Sequence, residues 1–405
     1  MAVTPEQFLL NCLSDYIHNR ITECADSELK WDSVFKLASS HSVEGIVYYQ
    51  CMSFMPKDIR KKYLKPYLGN AVISIKRSEI MKELSRHLEK EQIPAVWFKG
   101  AVLRNYYPVP QLRSMGDIDC VIRPEDKNRV DEILRSRMNF QRFIDNHAVW
   151  TYWKDNIYLE VHNQMFYENL ASKIDYISYF DSVWSNASRE TVFDVESPLT
   201  FVPDENFHFL YLMTHHAKHV INNGIGFRAY LDMVLMTQRC SDKLNWEFIE
   251  SELDKLGLLT FTKICFSCCE RWFSVKMPLE QEDFDEDLFS EITEKTFRDG
   301  TFGLDNTDNQ RALIAKDILY SSDPYLLAAV KRGFRRLFPP YKELQLIPWY
   351  SFIDGRPWLL PAAWIYRFGY VISRKIGEGK DYLLDPFVKK KEVLERQELI
   401  RKWGL

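Results

Sequence analysis

Apolar residues recur at helical spacing at both ends of the chain, whereas the middle contains short, strand-like apolar runs. The first helical stripe consists of Phe8, Cys12, Leu13, Tyr16 and Ile17. Thr4 can cap this helix, and Pro5 suits its first position because no helical N–H bond is lost there. Helical spacing continues to about residue 92. We therefore predict that residues 1–92 form an N-terminal helical region.

Between residues 93 and 203 the apolar runs are short and alternate with helical segments. Strands are predicted at 93–98, 148–154 and 157–163, and a further strand is predicted within 113–122, where two Asp residues precede an apolar run. Helices are predicted after Gly100 and after Pro124. Asp155-Asn156 suits a two-residue hairpin turn, because both residues tolerate a positive φ angle. This order predicts an α/β (α+β) fold, in which a small mixed-sheet core is flanked by N-terminal and C-terminal helical regions.

The chain returns to helical spacing from residue 204 onwards. Three helices are predicted between 204 and 257, followed by a loop across the acidic stretch 280–310. Residues 358–372 are predicted to form a packed helix rather than a membrane anchor, because a charged Arg367 interrupts their apolar run. The predicted domains are a helical region at 1–92, a core at 93–203 and a helical domain at 204–405.

Composition narrows the class of protein. Lys+Arg number 53 and Asp+Glu 57, so the net charge is −4, which gives no general attraction to nucleic acid or anionic membranes. The N-terminus has no secretory pattern, and no run reaches the roughly 18 apolar residues of a membrane-spanning helix. The eight cysteines are scattered, as is typical of reduced thiols. We expect a cytoplasmic protein without a membrane span or a strong nucleic-acid signature.

Asp117 and Asp119 form the most informative chemical pattern in the sequence. Alternate residues of a strand share a face, so both carboxylates point the same way. Their like charges repel unless a cation neutralises them, and Mg²⁺ prefers one or two carboxylates together with substrate phosphates. Glu160 offers a third carboxylate from a later strand. These residues predict a three-carboxylate metal site, provided that the two strands are neighbours.

Other groups are weaker candidates for chemistry. His215 and His219 are one helical turn apart, but no further zinc ligand is evident, so we predict structural histidines or histidines that line a cleft. The cysteine group in 265–269 lacks a second ligand pair and has apolar neighbours, which favours packing. The basic segment 331–336 is predicted to form a solvated surface.

Three motifs occur in a fixed order, namely Lys99-Gly100, Asp117-Ile118-Asp119 and Leu159-Glu160-Val161-His162. In this order they resemble the nucleotidyltransferase-fold superfamily, which includes DNA polymerase β-like enzymes. The chain is more closely similar to a bacterial family of uncharacterised nucleotidyltransferases. The further matching motifs are Tyr107-Pro108, Arg113, the histidines of 215–219, and Arg228 with Asp232. The resemblance covers most of the chain.

The resemblance implies a Mg²⁺-dependent enzyme that transfers a nucleoside monophosphate from a nucleoside triphosphate to a hydroxyl acceptor. Its catalytic and metal-binding residues would be Asp117, Asp119 and Glu160, which would hold two Mg²⁺ ions or, as an alternative, Mn²⁺. Its nucleotide-binding residues would be Lys99, Gly100, Arg113, Ser114, Arg228 and Asp232. The sequence leaves open which nucleotide is used and whether the acceptor is a small molecule, a protein or RNA.

Ala101 departs from the superfamily pattern, in which the turn often carries Ser after its Gly. This departure motivates a second hypothesis, a catalytically weak nucleotide-binding or regulatory module. A third hypothesis is a toxin-like nucleotidyltransferase that modifies a protein or RNA.

Overall fold

The computed structural model of the chain describes residues 3–23, 29–145, 148–167, 170, 174–190, 197–222, 224–279, 284–301, 327, 330–331, 334–335, 338–344, 348–353, 355–378 and 390–405.

The N-terminal region is helical, as the apolar spacing predicts. Its helices are α1 (Pro5–Ile17), α2 (Trp31–Ser40), α3 (Glu44–Cys51) and α4 (Lys57–Lys90). The hydroxyl of Thr4 caps α1 by accepting a hydrogen bond from the N–H of Gln7 at 3.2 Å, and Pro5 occupies the first turn. α4 is 34 residues long, and its second half packs Met81, Leu84 and Leu88 against the sheet. This helix therefore forms one of the layers that cover the sheet.

The middle of the chain forms a seven-stranded mixed sheet, which confirms the predicted fold class. Its strands are β1 (Ala95–Trp97), β2 (Asp117–Ile122), β3 (Gln141–Asp145), β4 (Val149–Lys154), β5 (Ile157–His162), β6 (Ala187–Arg189) and β7 (Thr200–Pro203). They lie in the order β3-β4-β5-β2-β1-β7-β6. β2 is parallel to β5 and antiparallel to β1, so the two predicted carboxylate-bearing strands are neighbours.

The predicted β4–β5 hairpin is confirmed. Asp155 and Asn156 have φ angles of 50° and 63°, the left-handed conformation that a two-residue hairpin turn needs. The predicted helices after β1 and β2 are also present, although both are short and irregular. They are α5 (Gly100–Leu103), which continues as a 3₁₀ turn, and α6 (Lys127–Glu132), which continues as a π turn.

The second half of the chain is mainly helical. The helices are α7 (Tyr176–Phe180), α8 (Glu205–Asn222), α9 (Phe227–Arg239), α10 (Trp246–Lys255), α11 (Leu259–Phe273), α12 (Glu286–Asp299), α13 (Tyr341–Leu344), α14 (Leu360–Glu378) and α15 (Lys390–Lys402). The helix predicted across 358–372 is confirmed by α14. Within the predicted basic surface, residues 332–333 and 336 lie outside the described residues.

The loop predicted across 280–310 is wrong for residues 286–299, which form α12. The carboxylate of Asp285 caps this helix by accepting from the N–H of Asp287 at 3.1 Å, and acidic residues in a first turn stabilise a helix. Ile292 is fully buried and anchors the helix. Acidic composition therefore concealed a capped amphipathic helix. Residues 280–283 and 302–310 lie outside the described residues.

The two faces of the sheet pack into different hydrophobic cores, which determines where the polar side chains of β2 point. Ile118, Cys120 and Ile122 belong to a core shared with α4 and α6. Val121 belongs to the larger core, which includes α8 and α9. Because side chains alternate along a strand, Asp117 and Asp119 lie on the face that is turned towards α8 and α9.

Among the described residues, none of the helices combines the length and apolarity that crossing a membrane requires. The division of the chain at residues 92 and 203 stays a prediction.

Candidate active site

Asp119 and Glu160 face each other across the parallel pair formed by β2 and β5. The strand register places Asp119 opposite Glu160 and Asp117 opposite Tyr158. Residues paired in this way share a face of the sheet and are separated by about 5 Å, the spacing between neighbouring strands. The predicted convergence of the two carboxylate-bearing strands is therefore present.

Asp119 is the central buried charge of the site. It is 1% exposed, and its Oδ1 accepts hydrogen bonds from the Lys99 ammonium at 2.7 Å and from Nε2 of His162 at 3.0 Å. Burial opposes ionisation of this carboxyl, but Lys99 and His162 together hold the pKa of Asp119 below its usual value. Asp119 is therefore a carboxylate. Both contacts use Oδ1, so its Oδ2 is the oxygen that neither of them engages.

Lys99 remains an ammonium group although its side chain is only 18% exposed. Burial alone would lower the pKa of Lys99, but the carboxylate of Asp119 raises it well above its ordinary value. Lys99 follows β1 and has a φ angle of 51°, a left-handed conformation that turns the chain into α5. The predicted turn therefore places a cation directly on the carboxylate at the centre of the site.

His162 completes a group of three potential metal ligands with Asp119 and Glu160. One ligand atom from each of these residues lies within 4.8 Å of the others, and Nε2 of His162 is 3.6 Å from Oε2 of Glu160. The sequence includes His162 in the Leu159–His162 motif, but the sequence analysis assigns it no role. Its position two residues after Glu160 was the signal that could have identified it.

Asp117 lies two residues before Asp119 on the same face of β2 and is not part of this three-residue group. The negative charge of Asp119 and burial raise the pKa of Asp117 to about 6, and the positive charge of Lys99 acts in the opposite direction. Two carboxylates on one face therefore repel each other, as the sequence predicts. Arg77 of α4 donates to the carbonyl of Gly116 at 3.0 Å and so fixes the start of the strand.

This raised pKa gives a pH prediction for the metal-free protein. The folded state binds a proton at Asp117 more tightly than the unfolded chain, whose Asp has the ordinary pKa of 3.8. The contribution of Asp117 to the free energy of unfolding is therefore greatest below that pH, and it falls as pH rises to about 6. The stability of Asp117→Asn relative to wild type should rise over this interval. Denaturant unfolding in EDTA measures it, and a pH-independent difference would contradict the assignment.

The predicted nucleotide-binding residues Arg113 and Asp232 form a buried ion pair. Nε and a terminal nitrogen of Arg113 donate to the two carboxylate oxygens of Asp232 at 2.7 and 2.8 Å, and the hydroxyl of Tyr107 donates to the same carboxylate at 2.8 Å. Although burial opposes its ionisation, Arg113 holds the pKa of Asp232 below its usual value. This pair joins the segment before β2 to α9.

Gly100, Ser114 and Arg228 support the same segment. A Cβ atom on Gly100 would lie 2.8 Å from a terminal nitrogen of Arg113, so glycine allows this close approach. Arg228 donates to the carbonyl of Ser114 at 3.2 Å, and the hydroxyl of Ser114 donates to the carbonyl of Ser42 at 2.9 Å. The structure gathers all six predicted nucleotide-binding residues around the start of β2. Their role towards a nucleotide stays a prediction.

A cleft opens between this segment and the helices α8 and α9. Lys99, Asp117 and Asp119 line it from the sheet side, and His215 and His219 line it from α8. Nε2 of His219 is 3.0 Å from Nε2 of His215, and burial lowers the pKa of both rings, so the pair is neutral. Within the described parts of the chain, no third ligand joins these histidines into a metal site.

Comparison with protein families shows the family of the chain. Residues 27–274 match the family described as uncharacterised nucleotidyltransferase. The chain belongs to this family. The match spans all seven strands and the helices from α2 to α11, so it includes every predicted site residue of this nucleotidyltransferase. Searches of curated proteins and of solved structures gave no match.

Proposed function

We propose that this enzyme is a Mg²⁺-dependent nucleotidyltransferase that moves a nucleoside monophosphate from a nucleoside triphosphate to a hydroxyl acceptor. The observation that carries the proposal is the pairing of Asp119 with Glu160 across neighbouring parallel strands. The order of these carboxylates after the Lys99-Gly100 turn, within a chain of the nucleotidyltransferase family, supports the same conclusion.

The side chains at this position fit a divalent cation. Oxygen atoms of Asp119 and Glu160 lie close enough to share one ion, and carboxylate oxygens are the ligands that Mg²⁺ prefers. His162 has a different role. Because the carboxylate of Asp119 only accepts hydrogen bonds, Nε2 of His162 must be the donor. We therefore assign His162 to orienting Asp119, which leaves Oδ2 of Asp119 and the carboxylate of Glu160 as the cation ligands.

The reaction exchanges one phosphorus–oxygen bond for another. The acceptor oxygen forms a bond to the α-phosphorus and gives up its proton to the surrounding water, and the bond from the α-phosphorus to the leaving oxygen breaks to release pyrophosphate. A bound divalent cation supplies charge neutralisation for the attacking and leaving oxygens. Lys99 would supply positive charge for the triphosphate, and Asp117 would offer an oxygen ligand to a second divalent cation. The ion pair of Arg113 and Asp232 holds the backbone segment that precedes β2 and its Asp117.

A labelling experiment tests this function. The protein is incubated with each α-labelled ribonucleoside triphosphate, Mg²⁺ and a panel of small hydroxyl compounds, RNA and protein acceptors. The proposal predicts transfer of the label with equimolar release of pyrophosphate. Tight triphosphate binding without release across the whole panel would instead support the nucleotide-binding module that Ala101 suggests. Label on RNA or protein alone would support the toxin-like alternative.

Replacing Glu160 by Gln should weaken Mn²⁺ binding by at least about tenfold, because the neutral amide is a poorer ligand than a carboxylate. Electron paramagnetic resonance of free Mn²⁺ measures the dissociation constant directly. Glu125→Gln is a matched control, since Glu125 is exposed and lies away from the three-residue group. Equal affinity in the Glu160 variant and wild type would remove Glu160 from the site.

A further inference from the structure

An exposed aromatic surface continues the site face of the sheet beyond the carboxylates. Tyr158 lies opposite Asp117 on β2 and opposite Trp153 on β4, so these three residues form one row across the sheet. Phe143 lies at an irregularity in the register of β3, and its ring contacts that of Tyr158, with the centroids 6.0 Å apart at an interplanar angle of 69°. Tyr158 is 39% exposed and Phe143 is 41% exposed. The rings are therefore open to a ligand beside the carboxylates.

The position of this surface relative to the phosphate side follows from strand order. β1, with the Lys99-Gly100 turn after it, borders β2 on one side, and β5 borders β2 on the other. In an in-line displacement the attacking oxygen and the leaving pyrophosphate lie on opposite sides of the α-phosphorus. If pyrophosphate leaves towards Lys99, the acceptor enters over β5. The aromatic row lies on that side.

Distance also fits an acceptor bound to these rings. Tyr158 and Glu160 are two residues apart on the same strand face, which is about 6.6 Å along the strand. A ring-shaped molecule that packs on Tyr158 can therefore place a hydroxyl group beside Glu160. Neighbouring strands extend the surface by about 5 Å each, so Tyr158, Trp153 and Phe143 together offer room for one or two rings.

The charge of this surface argues against a polyanionic acceptor. Of the residues that the register places on this face of β4 and β5, namely Val149, Thr151, Trp153, Tyr158, Glu160 and His162, none is a lysine or an arginine. Surfaces that bind single-stranded nucleic acid combine stacking rings with positive charge along the backbone. Aromatic faces without such charge instead suit a flat base or the C–H face of a sugar, because the ring face is electron-rich.

We propose that Tyr158 and Phe143, with Trp153 beside them, bind the acceptor of the reaction, and that this acceptor is an uncharged hydroxylated ring compound, either a glycoside or a nucleoside. The inference rests on the proposed function, because it assigns the acceptor side of that same site.

Ligand binding tests this assignment without turnover. Saturation-transfer NMR is recorded with methyl α-glucoside, with adenosine and with a single-stranded oligoadenylate, each in the presence of Mg²⁺ and a non-hydrolysable triphosphate. Wild type and Tyr158→Phe should transfer saturation to one of the two uncharged compounds, and which one responds identifies the source of the ring. The double variant Tyr158→Ala/Phe143→Ala should lose at least about five-sixths of the signal, because loss of a stacking ring weakens binding at least about fivefold, while its affinity for the triphosphate stays unchanged. Phe248→Ala, which alters an equally exposed ring on α10, should behave as wild type.

Three results would overturn the assignment: no saturation of either uncharged compound, equal saturation in wild type and the double variant, or saturation of the oligoadenylate alone. Failure of the proposed function is separable from these results. If label transfer is absent with every acceptor while the double variant still abolishes ring binding, nucleotidyl transfer is wrong and the aromatic site stands. If label is transferred and the double variant leaves the acceptor KM unchanged, the function stands and the aromatic site is wrong.

Discussion

Asp119→Asn should reduce nucleotidyl transfer by at least about 1,000-fold, the largest effect that we expect from any single substitution. Oδ1 of Asp119 accepts hydrogen bonds from both Lys99 and His162, and one carboxylate oxygen of Asp119 lies within 4.8 Å of one of Glu160. Asparagine has nearly the same shape but carries no charge. Loss of several kcal/mol of electrostatic stabilisation at a metal-dependent site corresponds to this factor, at about 1.4 kcal/mol for each tenfold change in rate.

The substitution also leaves Lys99, whose side chain is 18% exposed, without the carboxylate that it contacts. Removing one partner of a fully buried ion pair costs about 3–5 kcal/mol of stability, and water that reaches Lys99 lowers this cost, so the variant should be assayed well below its unfolding temperature. Asp145→Asn is the matched control. Asp145 pairs with Lys127 and Arg142 at the half-exposed edge of the sheet, and we expect wild-type transfer from it. Transfer by Asp119→Asn within tenfold of wild type would show that the carboxylate is not part of the active site.

Arg113→Ala should lower the free energy of unfolding by about 3–5 kcal/mol, because it leaves the carboxylate of Asp232 buried and without its ion-pair partner. Asp232 is 4% exposed and Arg113 is 8% exposed, so water cannot replace the lost contact. The Asp232→Ala variant should lose a similar amount for the reciprocal reason. Urea unfolding of both variants and of wild type measures the effect.

Two controls separate this ion pair from ordinary surface electrostatics. Arg129→Ala removes exposed ion pairs with Asp126 and Glu91, in which the Arg129 side chain is 47% exposed, and each such surface pair contributes about 0–1 kcal/mol. The double variant Arg113→Met/Asp232→Leu removes both charges together and should recover part of the lost stability. If Arg113→Ala lowers the free energy of unfolding by less than about 1 kcal/mol, the buried ion pair between Arg113 and Asp232 is contradicted.

The sequence predicts local structure well where one short stretch contains all the determinants. Thr4 and Pro5 predict the start of α1, and Asp155-Asn156 predicts the hairpin turn, because capping and left-handed backbone conformations depend on adjacent residues. The same holds for the shared face of Asp117 and Asp119. In contrast, the sequence does not predict β6 and β7. They have only three and four residues, which is too short for an alternation of apolar and polar side chains to be recognised.

The candidate site was only partly predictable because its contacts join distant segments. The neighbourhood of β2 and β5 depends on a parallel pairing that no local pattern encodes, so the convergence of Asp119 and Glu160 stayed conditional. His162 lies within the strand predicted at 157–163, but its hydrogen bond to Asp119 spans 43 positions. The ion pair of Arg113 and Asp232 spans 119 positions. Sequence analysis assigned both residues to nucleotide binding, whereas the structure shows that each is also the other's buried partner.

The most direct test of the central claim is the position of a bound cation. Crystals soaked with Mn²⁺ and a set of α,β-methylene ribonucleoside triphosphates can be measured at the manganese absorption edge. We predict an anomalous peak for one Mn²⁺ ion within coordination distance of Oδ2 of Asp119 and the carboxylate of Glu160, with the α-phosphate as a further ligand. A peak elsewhere in the chain, or a bound triphosphate with no peak between these two carboxylates, would contradict the claim that this pair forms the metal site for nucleotidyl transfer.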